Sequence, residues 1–102
     1  MIKITVEKEN ELIKNLIITG LSGSAEAGKD IICASVSSMV LVSINAIISI
    51  DEKAIEVKEN DAFIEINKKY NNDTTDKILL NLVRMLNELK EQYPNNIQIN
   101  ER

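Results

Sequence analysis

Between Ile31 and Ile50 the chain runs for 20 residues without a charged side chain. Length alone would let such a segment cross a bilayer. Its polar residues argue otherwise. Five serines and Asn45 lie inside the run, and Ser35, Ser38, Asn45 and Ser49 fall on one stripe of a helix. The run therefore reads as a central helix starting at Asp30, apolar most of the way round. A sheet can cover one side of it, and a partner subunit another.

The flanking segments supply the sheet. Ile2, Ile4 and Val6 alternate as one face of a strand. Lys8 to Glu11 reads as a turn and Leu12 to Thr19 as the returning strand, with Leu16, Ile17 and Ile18 largely buried. Residues 20–29 hold all three glycines of the chain, which marks a loop needing unusual backbone angles. Beyond the helix, residues 54–58 and 62–67 form a second hairpin turning at Glu59 to Asp61. Thr74, Thr75 and Asp76 offer N-caps for a second helix that runs to Tyr93 and stops at Pro94. Ile78, Leu79, Leu82, Val83, Leu86 and Leu89 give that helix its apolar face. Asn96 to Asn100 is a short last strand. The expected architecture is one α+β domain over residues 1–102, in ββαββαβ order. Two helices pack on a mainly antiparallel sheet.

The chain has 102 residues, room for a single core. Acids outnumber bases 16 to 12 and aromatics are 3%, with no Trp. A nucleic-acid grip by charge or stacking is therefore not expected. Histidine is absent, which removes the commonest general base and neutral metal ligand. The lone Cys33 excludes an internal disulfide and a multi-Cys metal site, and it fits a reducing cytosol. The N-terminus lacks a signal-peptide pattern. Heavy use of Ile, Asn and Lys suggests an AT-rich bacterial genome. No metal, cofactor or membrane partner is expected.

Two motif matches fail on inspection. Gly23 to Lys29 fits the start of a phosphate-binding loop, but Asp30 stands where Ser or Thr should hold Mg²⁺. Gly20-Leu21-Ser22-Gly23 fits an RNA-binding G-x-x-G, yet it follows a strand instead of joining two helices. The acid pairs Glu9/Glu11, Asp51/Glu52 and Glu59/Asp61 read as solvated charge in turns, and Met39 and Met85 as core filler.

Cys33 carries more information. With Asp30 as N-cap, Cys33 lies in the first helical turn, where free N–H groups and the helix dipole favour a thiolate. A glycine-rich loop just before it gives access. The arrangement suits a nucleophile. The same residue equally suits a small core position, the usual fate of a free Cys.

Residues 20–37, above all Gly28-Lys29-Asp30-Ile31-Ile32-Cys33-Ala34-Ser35, resemble the ribosomal-processing cysteine protease Prp family. Its pattern is Gly-His, a short glycine-containing loop, then Gly-x-Asp-Ile-Val-Cys-Ala and a serine. Ser43 to Ile48 and Asn96 to Ile99 extend the resemblance over the whole chain. It implies a cytoplasmic, homodimeric bacterial endopeptidase that removes the N-terminal extension of large-subunit ribosomal protein number twenty-seven. Cys33 would be the nucleophile. Asp30 would be a helix cap and orienting acid, and Gly20, Ser22, Gly23 and Gly28 would belong to the substrate loop. One position departs from the pattern: the family His corresponds to Leu21, and no other His exists to replace it. Leu moves no proton, so activity is expected to be severely reduced or absent. A catalytically inactive homologue that binds the same peptide is the alternative.

Overall fold

The computed structural model describes the backbone of residues 1–21 and 29–102, and the side chains of residues 1–21 and 31–102. The order is β1 (Ile2–Glu9), β2 (Leu12–Thr19), α1 (Lys29–Ile50), β3 (Ile55–Asn60), β4 (Phe63–Lys68), α2 (Asp73–Gln92) and β5 (Ile97–Glu101). The five strands form one sheet ordered β3-β4-β2-β1-β5. Three neighbouring pairs are antiparallel, and β5 lies parallel to β1. The α+β reading and the element order thus hold.

Alternation decides the inner face. Ile2, Ile4 and Val6 of β1, Leu16 and Ile18 of β2, Ile64 and Ile66 of β4, and Ile97 of β5 are all buried. Their neighbours Lys3, Glu56, Lys58 and Gln98 are exposed. A register shift between Glu7 and Lys8 brings Ile13 back to the buried side, opposite Lys8. Ile17 is only half-buried, on the outer face.

The two hairpins turn differently. β1 extends further than expected, and the turn shrinks to Asn10 and Glu11, both at positive φ (54° and 68°). Two left-handed residues match the twist of a two-residue hairpin. The second turn is also tighter than expected, at Asp61 and Ala62 between the paired Asn60 and Phe63. It contains no positive-φ residue. Here the Asn60 Oδ1 accepts a hydrogen bond from the Ala62 N–H at 3.0 Å.

α2 buries Leu79, Leu82, Val83, Leu86 and Leu89, as its periodicity requires. Burying one such leucine stabilises by about 1.5–3 kcal/mol. Its N-cap is Asn72, not Thr74, Thr75 or Asp76. The Asn72 side chain accepts from the N–H groups of Thr74 (3.0 Å) and Thr75 (3.2 Å). Asp76 instead accepts from the Asn72 N–H at 3.2 Å and pairs with Lys68 at 2.5 Å. Not all expected surface acids are simply solvated. Asp51 accepts from the Tyr70 hydroxyl, and this bond and the nearby carboxylate charge raise the Tyr70 pKa above its ordinary value.

α1 lies against α2 and buries Ile32, Val36, Val40, Ser43, Ile44 and Ile47. The polar residues Ser38, Asn45 and Ser49 point outward, as their spacing predicts. They share that side with Ile31, Leu41, Val42 and Ile48, which are exposed.

Candidate active site around Cys33

α1 begins at Lys29, so Asp30 is its second residue and not the residue flanking it. This corrects the cap expected at Asp30. A carboxylate there still lies in the first turn, where the N-terminal end of the helix dipole favours negative charge. The Asp30 side chain, and Ser22, Gly23 and Gly28, lie outside the described residues. With the earlier start, Cys33 is the fifth helical residue. It lies one full turn in, and helical side chains lean back toward the N-terminus. Its thiol therefore leans toward the turn that carries the unpaired N–H groups.

Cys33 is free and half-buried, and it packs against the hydrophobic core. In a helix two residues correspond to roughly 200° of rotation, so Cys33 lies nearly opposite the exposed Ile31.

β2 leaves the sheet through Gly20 and Leu21. Gly20 has φ +86°, and a Cβ there would lie 2.3 Å from the Met1 carbonyl oxygen. Only glycine fits. The expectation of unusual backbone angles is met at this glycine. Leu21 follows, 7% exposed and part of the core cluster that Cys33 packs against. Its N–H donates to the carbonyl of Ala62 in the β3–β4 turn at 3.3 Å. The sequence reading missed this contact. Its only trace was an Asn two residues before a small residue, a pattern common to many turns.

Other charged and sulfur-bearing side chains are structural. Lys68 is almost wholly buried against Asp76, Met39 packs on the core, and Met85 accepts a weak bond from the Asn81 side chain. Among the described residues, no group of three or more His, Cys, Asp or Glu side chains could hold a metal ion. Two polar clefts of about 80 and 150 Å³ are lined by Glu56, Lys58, Glu65 and Asn67, and by Glu9, Lys14, Lys68, Lys69, Tyr70 and Asn71. Neither includes Cys33 or Leu21.

Comparison with known proteins agrees with this framework. The family model for cysteine protease Prp matches residues 1–98. A ribosomal processing cysteine protease Prp of Staphylococcus aureus is 30% identical over 102 residues, covering 97% of this chain and 95% of its own. The S. aureus Prp crystal structure with a substrate peptide superposes with a TM-score of 0.91 at 27% identity, covering all of both chains. A second S. aureus Prp structure, with a covalently linked product peptide, gives 0.88 at 28% identity, again over all of both chains. A Streptococcus mutans protein shares the fold at 20% identity and a TM-score of 0.88, covering 99% of this chain and 93% of its own. A half-buried thiol near the start of a helix is thus set in a chain matched nearly end to end. The chain belongs to the cysteine protease Prp family.

Proposed function

We propose that this chain engages the N-terminal extension of large-subunit ribosomal protein number twenty-seven in the cytoplasm, with Cys33 as its nucleophile. The supporting observation is the setting of Cys33, half-buried within the first turns of α1 and packed against the core. In the full reaction the thiolate attacks the scissile carbonyl carbon. Backbone N–H groups at the start of α1 stabilise the oxyanion. The tetrahedral intermediate collapses to a thioester and expels an amine, which must take up a proton. Water then hydrolyses the thioester.

Leu21 is what limits this chain. It stands where the family pattern has His, and it can neither take the thiol proton nor give one to the amine. General acid–base help contributes about 10²–10⁴-fold, so turnover in this chain is reduced by a factor of that order or lost. The burial of Leu21 favours the second reading, an inactive homologue that binds the same peptide. The homodimer expected for the family would use the exposed aliphatic side of α1, which lies away from the thiol.

The test is a cleavage assay on the extended ribosomal protein with the parent chain, Leu21→His and Cys33→Ala. Cleavage by Leu21→His but not by the parent or by Cys33→Ala supports a peptidase lacking its base. Cleavage by the parent that survives in Cys33→Ala overturns the assignment of the nucleophile. If neither the parent nor Leu21→His cuts, peptide binding by the uncut protein decides for the second reading.

A further inference from the structure

The β3–β4 turn is built in an unusual way for its length. Two-residue hairpins favour left-handed residues, and the β1–β2 turn has two of them. Asp61 and Ala62 have none. The Asn60 side chain takes over, accepting from the Ala62 N–H at 3.0 Å. The turn held in this way presents the Ala62 carbonyl to the Leu21 N–H, 3.3 Å away. From the other side, Gly20 lies against the Met1 carbonyl, with no room for a Cβ. The backbone on either side of the Gly20–Leu21 bond is therefore held by β1 and by the β3–β4 turn.

We propose that Asn60 is a positioning residue for residue 21, acting through the Ala62 carbonyl to fix where that side chain enters the core. The inference rests on the reading above, in which residue 21 is the position facing the reaction. Asn60 touches neither thiol nor substrate. Its role is to hold the backbone from which residue 21 projects, so its loss should loosen that one residue and leave the sheet intact.

Amide hydrogen exchange reads this directly in the parent chain. In Asn60→Ala, exchange of the Leu21 N–H should accelerate roughly three- to tenfold, the worth of one neutral hydrogen bond. The Val6 and Leu16 amides should be unchanged. Asn60→Asp keeps the acceptor and should restore protection. An unchanged Leu21 rate in Asn60→Ala, or an equal acceleration at Leu16, overturns the proposal. A second readout uses the absence of histidine from the chain. Leu21→His carries a single imidazole, whose titration is followed by NMR. Adding Asn60→Ala should shift its midpoint, because the imidazole is then held in a different mix of burial and hydrogen bonding. An identical titration with and without Asn60→Ala overturns the proposal. Neither readout needs cleavage, so failure of the peptidase reading would register only in the assay above.

Discussion

Lys68 and Asp76 are the pair on which a single substitution should cost most. Their side chains are 5% and 10% exposed, and both carboxylate oxygens of Asp76 are used, one by the Lys68 ammonium and one by the Asn72 N–H. The pair ties the end of β4 to the first turn of α2. Removing one partner of a buried ion pair typically costs about 3–5 kcal/mol, because the other charge is left without compensation. Asp76→Ala should therefore lose a stability of that order in urea denaturation. Asp76→Asn, which keeps oxygen and shape but not charge, should lose less. A loss below about 1 kcal/mol in Asp76→Ala would mean that water reaches Lys68 as easily as at an exposed pair. Nothing in the sequence pointed to this pair. By its sequence Asp76 reads as a helix cap, and nothing in the local pattern marks Lys68 as its partner. Only the closing of the β4–α2 connection makes the two meet.

At the scale of elements, legibility followed periodicity. α2 was readable because Leu79, Leu82, Val83, Leu86 and Leu89 repeat at helical spacing and all are buried. The boundaries were less so, since they depend on single side chains. Asn72 wins the cap over Thr74 and Thr75 because its oxygen reaches both of their N–H groups. The start of α1 at Lys29 places Cys33 two residues, roughly half a turn, further into the helix than a cap at Asp30 would, yet leaves it within reach of the helix end. The hairpin turns were misjudged because Lys8-Glu9 and Glu59-Asn60 carry polar side chains that the outer face and edges of a sheet accept as readily as a turn does. One turn still holds removable strain. Glu11 has φ 68°, a region costly for a residue with a Cβ, in a turn type that prefers Asn-Gly. Glu11→Gly should thus stabilise the chain by roughly 0.5–1 kcal/mol after glycine's greater unfolded-state freedom is subtracted. For a domain of this size that is a rise of a few degrees in Tm. A fall in Tm would show that the Glu11 side chain contributes more than its backbone strain costs.

The whole molecule leaves one surface unexplained by its own fold. Among the described residues α1 is covered on one side, and Ile31, Val42 and Ile50 stay 66%, 68% and 61% exposed, with Leu41 and Ile48 also exposed. Aliphatic side chains grouped on one uncharged helix face gain most from a matching face. A second copy would supply one through a two-fold axis, on which each residue would meet its own counterpart or a neighbour. Val42 lies near the middle of the 22-residue helix, where such an axis would cross. Cys33 lies nearly opposite Ile31 and Val42 on the helix, so association through this face would not cover the thiol directly. Val42→Glu tests the arrangement cleanly. In the isolated chain the new carboxylate is solvated and should change stability by no more than about 0.5 kcal/mol. In a dimer, two carboxylates would be buried close together near the axis, which the desolvation of unpaired charge makes prohibitive. Sedimentation equilibrium should therefore find a dimer for the parent and a monomer for Val42→Glu. The variant should show the same circular dichroism and near-parental unfolding at low concentration. A parent that stays monomeric at all concentrations would sink the dimer. A Val42→Glu chain that still dimerises would move the contact to the outer sheet face or to the β3 or β5 edge.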